Sequence, residues 1–199
     1  MPADELDELL RDRFDLERAD LIAALKTLPA HRPWSATLIV DDARLLDAAG
    51  LPEDRVAHAE VAADVTVRMA RLFSTAYTAA EVADGLGISA SRIRQRRLNY
   101  SLWAIDDGGS WVYPAVQFDL ADIGPGTPLA FKQVRGLDQV LPQLLTSGLH
   151  PAAVASFLLA PQHDLLIDGR RVCVREWLLH GEPTAPVLKL IDIGEWASR

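Results

Sequence analysis

The chain of 199 residues contains one cysteine, Cys173. An intrachain disulfide is therefore impossible, and zinc sites built from several thiolates are excluded. No apolar run approaches the ~20 residues a helix needs to cross a bilayer. The five histidines (His31, His58, His150, His163 and His180) are scattered, and none forms the i, i+4 pair of a helical metal site. A glycine-rich phosphate loop is missing, as is the Gly-x-Ser-x-Gly turn that presents a nucleophilic serine. His163-Asp164 follows Pro161 and reads as a local hydrogen bond in a loop. Cys173 stands between Val172 and Val174 and reads as a small buried hydrophobe. No catalytic constellation, cofactor site or metal site emerges, which points away from an enzyme. The opening Met1-Pro2-Ala3-Asp4-Glu5 is acidic and lacks the features of a signal or transit segment. The expected compartment is the cytoplasm, with no membrane partner.

What the chain does have is an ordinary globular composition, 49% apolar and 24% charged, enough to build a core. The net charge of −8 is unfavourable for a nucleic-acid binder until its distribution is considered. Residues 1–70 hold 15 acidic side chains against 8 basic ones, whereas residues 71–199 hold 13 against 12. In the near-neutral remainder, Arg92, Arg94, Arg96 and Arg97 fall within six positions. DNA contact is local, so an acidic protein can carry one basic surface.

Three segments are expected: 1–73, 74–123 and 129–199. In the first, Leu6, Leu9, Leu10, Leu21, Leu25 and Leu28 recur at roughly helical spacing until Pro29 and Pro33. Thr37 to Val40 reads as a short strand. Asp41 or Asp42 then caps a helix carrying Leu45 and Leu46, closed by Gly50. Val56 to Phe73 reads as a helix with Val61, Val65, Met69 and Phe73 at four-residue steps. The run Gly124-Pro125-Gly126-Thr127-Pro128 reads as a domain boundary. Beyond it, apolar stripes at Val140 to Leu145, Val154 to Leu159 and Trp177 to Leu179 predict a helical C-terminal segment.

The strongest signal lies in the middle. Thr78 with Glu81 forms a capping box for a first helix, whose Val82 and Leu86 share a face. Ala83 is small where two helices would cross. Gly87 supplies a left-handed turn, Ile88 plugs the corner, Ser89 caps a second helix, and Ile93 anchors it. Arg96 stands where an apolar residue is expected on the second helix, which leaves Leu98 for that packing. The second helix would expose Ser91, Arg92, Arg94, Gln95, Arg96, Arg97 and Asn99, residue types that contact bases and phosphates of double-stranded DNA. Leu102 to Ile105 and Trp111 to Tyr113 flank Asp106-Asp107-Gly108-Gly109, which reads as a β-hairpin. The two acidic residues at its tip would repel phosphate. The predicted fold is mainly α, a central winged helix-turn-helix flanked by helical segments. One short recognition helix covers few base pairs, so a homodimer is expected.

Thr78 to Ile93 and Gly109 to Pro114 resemble the excisionase and MerR-like helix-turn-helix family, whose pattern reads T-A-x-E-V-A-x-x-L-G-V-S-x-S-x-I before a short wing. The resemblance covers about 40 residues and implies DNA binding. At the C-terminus, Phe157-Leu158-Leu159-Ala160-Pro161 and Trp177-Leu178-Leu179-His180-Gly181 resemble the toxin-binding domain of Xre/MbcA/ParS-type antitoxins. That family usually has proline where this chain has Val172-Cys173-Val174. The resemblance implies an antitoxin that represses its own operon and binds a toxin encoded by the adjacent gene. Trp177, Leu178, Leu188, Ile191 and Trp196 are the expected partner-binding anchors. The alternative is a transcriptional regulator without a toxin partner.

Overall fold

A computed structural model of the protein describes residues 3–28, 40–50, 55–120 and 130–197. It is mainly helical, with small antiparallel sheets. The chain divides into two compact units, residues 1–74 and residues 75–199.

The first unit contains α1 (Ala3–Phe14), α2 (Arg18–Thr27), α3 (Val40–Ala48) and α4 (Arg55–Ser74). The leucine pattern predicted one helical stretch, but the chain breaks at Asp15, which takes a left-handed φ of +54°. Leu16 N–H bonds back to the Leu10 carbonyl at 3.2 Å, and both leucines are buried, so a local apolar contact seals the break. Val40 begins α3 rather than ending a strand, and residues 37–39 lie outside the described residues. Asp41 and Asp42 sit inside the first turn of α3, where negative charge still complements the helix dipole. On α4 the four-residue stripe buries only its C-terminal half. Met69 and Phe73 are buried, while Val61 is exposed. Helix α2 packs on α4, with the small Ala24 fully buried.

The second unit begins with β1 (Tyr77–Thr78), α5 (Ala79–Leu86) and α6 (Ala90–Leu98). Strands β2 (Ile105–Asp106) and β3 (Trp111–Tyr113) form a hairpin, and β1 joins it in the order β1-β3-β2. A 3₁₀ turn at Ala115–Gln117 leads into β4 (Phe118–Leu120). Strand β5 (Phe131–Gln133) pairs antiparallel with β4, matching Phe118 to Gln133 and Leu120 to Phe131. The expected boundary at Gly124 to Pro128 lies outside the described residues, but the chain on both sides of it belongs to one unit. The ladder between β4 and β5 is one reason. Arg175 is another: its guanidinium donates to the carbonyls of Val116 and Phe118, each at 2.9 Å.

The rest of the unit is α7 (Leu137–Thr146), α8 (Pro151–Leu159), β6 (Pro161–Ile167), β7 (Arg170–Cys173), α9 (Val174–Leu179) and α10 (Ala185–Ala197). This segment is not helical throughout, as the stripes suggested. Asp168 and Gly169 have φ of +50° and +76° and join β6 to β7, with Ile167 opposite Arg170. An Asp-Gly pair with both φ positive is the backbone of a two-residue hairpin. His163 does bond Asp164, at 2.9 Å, but on a strand and not in a loop. Cys173 is half-buried rather than sealed in the core. Its Sγ accepts the Glu176 N–H at 3.4 Å and caps α9.

Candidate nucleic-acid interface

The backbone around α5 and α6 follows from a few side chains. Thr78 N–H donates to Glu81 Oε2 at 2.8 Å, and Glu81 N–H donates to Thr78 Oγ1 at 3.3 Å, a reciprocal cap. Gly87 ends α5 with φ +64°, and nothing lies within 4 Å of where a Cβ would stand. Its role is therefore conformational. The Ile88 N–H then reaches the Ala83 carbonyl at 3.0 Å, and Ser89 Oγ accepts the Arg92 N–H at 3.3 Å to start α6. Val82, Ile93, Leu102, Tyr113, Phe118 and Phe131 form the core beneath, with Tyr77 and Leu86 packed against it. Neither Phe118 nor Phe131 stands out in the sequence, and Phe131 enters from beyond the expected boundary. Its ring stacks on Tyr77 at 5.0 Å and tilts against Phe118 at 4.5 Å.

Helical geometry sorts the expected contact residues. Successive positions rotate by about 100°. Opposite the buried Ile93 this places Ser91, Gln95 and Leu98, with Arg92 and Arg94 on either side. All five are exposed. Leu98 is 63% exposed, so it does not supply the packing expected of it. Arg96 and Arg97 lie only about 60° and 40° from Ile93 and are half-buried. Arg96 bonds Gln133 Oε1, whose amide donates in turn to the Ser101 carbonyl at 2.7 Å. Burial holds the Arg96 guanidinium below the usual arginine range, while Asp138 opposes the shift. Arg96 is thus occupied within the fold. Asn99 is also occupied: its Oδ1 accepts Ser101 N–H at 3.1 Å and Ser101 Oγ–H at 2.7 Å, closing α6. Arg97 lies over the Trp111 ring at 4.0 Å from the centroid, a cation–π contact that links α6 to the β2–β3 hairpin. Arg92 donates to Gln95 at 2.9 Å across one helical turn.

The hairpin acids have local work. Asp106 accepts Gly108 N–H at 2.9 Å, and Asp107 accepts Gly109 and Ser110 N–H at 3.0 and 2.7 Å. These bonds, that from Ser110 foremost, hold the Asp107 carboxyl below its usual pKa. From residue 85 to residue 105 the chain has no acidic side chain. The outward face of α6 is therefore cationic and polar apart from the exposed Leu98, inside a strongly acidic protein.

Gln117 went unnoticed in the sequence, although it is fully buried. It accepts Trp103 N–H at 2.9 Å and donates to the Trp103 and Pro114 carbonyls at 2.7 and 3.2 Å. It fixes the chain leaving α6 to the chain leaving the hairpin. A polar residue after an aromatic-rich hairpin gives no signal of such a role.

Comparison with family models, curated proteins and solved structures finds no match to the chain.

The expected partner-binding residues fare differently. Trp177, Leu178 and Ile191 are buried in their own unit, and Leu188 is half-buried. Trp177 Nε1–H donates to the Pro183 carbonyl at 2.8 Å, so even its polar edge is satisfied. Trp177, Leu178 and Ile191 thus pack within their own unit, while Leu188 keeps part of its surface uncovered. The Trp196 side chain lies outside the described residues. Among the described residues no His, Cys, Asp and Glu cluster has the makings of a metal site, and no helix is long and apolar enough to cross a membrane.

Proposed function

We propose that the protein is a DNA-binding transcription regulator, with α5 and α6 as a helix-turn-helix and β2–β3 as its wing. The observation that carries this reading is the acid-free outward face of α6, where Ser91, Arg92, Arg94, Gln95 and Leu98 stand opposite the buried Ile93. Laid in a major groove, such a helix presents Arg92 and Arg94 to phosphate or guanine, Gln95 to adenine, and Leu98 to a thymine methyl. Arg97, held by Trp111, contributes charge beside the wing. The nine residues of α6 reach few base pairs, so the regulator acts as a homodimer on a two-fold site.

The test is selection of a preferred duplex from a random DNA pool, followed by anisotropy titrations at several salt concentrations. Arg92→Ala and Arg94→Ala should each lower the salt slope by about 1. Arg96→Ala should leave the slope alone and lower stability. Failure to enrich any sequence, or an unchanged slope for both outward arginines, refutes the reading.

A narrower reading makes this regulator an antitoxin of a type II pair. Its support is the C-terminal resemblance together with the exposed Leu159, Leu166 and Leu179 of the same segment. Their exposure fits a surface a partner would cover. Co-expression with the product of the adjacent gene tests it. A stable complex weakened by Leu166→Lys supports the antitoxin, and no complex leaves the plain regulator.

A further inference from the structure

A cavity of about 300 Å³ opens beside the C-terminal end of α6, at the lower bound of small-ligand pockets. Its wall draws on three parts of the second unit: Arg97 and Tyr100 from α6 and its end, Trp103 and Trp111 from the hairpin region, and Leu145 and Leu149 from α7 and the loop after it. Tyr100, Trp111 and Leu149 are each more than 40% exposed, an unusual concentration of uncovered apolar surface. The lining contains no acidic side chain, and Arg97 is its only formal charge. Among the described residues no carboxylate pairs with Arg97, whose contact is the Trp111 ring.

We propose that this cavity binds a small aromatic monocarboxylate. The exposed rings of Tyr100 and Trp111 offer stacking and edge contacts to a planar ligand, above a floor formed by the buried Trp103. The planar fork of Arg97 matches a carboxylate in a bidentate pair, and its cation–π contact with Trp111 leaves N–H donors for that pair. The size of the cavity excludes a folded partner or a helix. The single cation, with no opposing acid, selects an anion over a neutral or cationic ligand. Occupancy would neutralise Arg97 and so weaken DNA binding; this regulatory clause rests on the proposed function, whereas the binding clause does not.

The probe is 3-phenylpropionate, with 3-phenylpropionamide as its neutral counterpart, titrated into full-length protein without DNA. Binding is read from the indole N–H resonances of Trp103 and Trp111, assigned through Trp→Phe variants. Saturable shifts of both signals by the acid are expected, with the amide weaker by about tenfold or more, since it lacks a charge-assisted bond. Arg97→Met should erase the preference for the acid. Leu149→Glu, at an exposed site, should block the acid by giving Arg97 an internal carboxylate, and it serves as a second variant should Arg97→Met unfold. No saturable shift, equal affinity for acid and amide, or unaltered acid binding in a folded variant overturns the site. Acid binding that leaves DNA affinity unchanged overturns the regulatory clause alone. A protein that binds the acid but no DNA keeps the site and loses the proposed function.

Discussion

Gly85→Ala separates two opposing physical effects. Gly85 lies inside α5, where alanine ordinarily stabilises a helix by about 0.5–1 kcal/mol. A Cβ at this position would stand 2.4, 2.5 and 2.9 Å from Cε1, Cζ and Cδ1 of Phe131. The ring must move by about 1 Å to reach ordinary van der Waals separation. It has little room, because Phe118 and Tyr77 flank it at centroid distances of 4.5 and 5.0 Å. Overpacking of this kind costs about 1–3 kcal/mol, so the clash wins and a net loss of about 1–2 kcal/mol is expected. Urea unfolding followed by tryptophan fluorescence is the assay, since four of the five tryptophans lie in residues 75–199. The decisive control is the same substitution combined with Phe131→Leu, which removes the clashing ring edge. In that background Gly85→Ala should cost much less or become stabilising, giving a coupling of about 1 kcal/mol or more. If Gly85→Ala is as stable as the parent with Phe131 in place, β5 does not close this core as described.

Gly87→Val places a β-branched residue at φ +64° with free space around it, so only backbone strain acts, and a loss of about 1–3 kcal/mol is expected by thermal unfolding. Gln117→Leu should destabilise by about 2 kcal/mol or more in the urea assay, because it strands the buried N–H and carbonyl of Trp103. Arg175→Met keeps apolar length but removes two charge-assisted bonds to Val116 and Phe118; a loss of about 2–3 kcal/mol is expected, with protease cleavage near residues 116–118 as the local readout.

The parts legible in the sequence were those governed by neighbouring residues. The Thr78–Glu81 cap, the left-handed Gly87, the Ser89 cap and the hairpin across Asp106 to Gly109 all rest on contacts within a few positions. The Asp168-Gly169 hairpin had an equally local signal, but apolar stripes on both sides drew the reading towards helix. Asp15 gave less warning, since a non-glycine residue with positive φ is uncommon. The occupied state of Arg96 was invisible because its partner, Gln133, is 37 positions away. The fate of Trp177, Leu178 and Ile191 shows the same limit. A large apolar side chain reads alike whether it anchors a partner or its own core, and only the three-dimensional neighbours decide.

Phe131 has a further consequence for recombination between genes. The core under α6 is assembled from residues 82–118 and from a strand encoded after the glycine-proline run. A crossover within that run would transplant α5, α6 and the hairpin while leaving behind the ring that packs on Gly85 and the amide that holds Arg96. Such a hybrid inherits the outward face of α6 and loses the ring that closes the core beneath it. The segments on the two sides of the run must therefore be inherited together, as far as Arg175, whose guanidinium holds the Val116 and Phe118 carbonyls from beyond it.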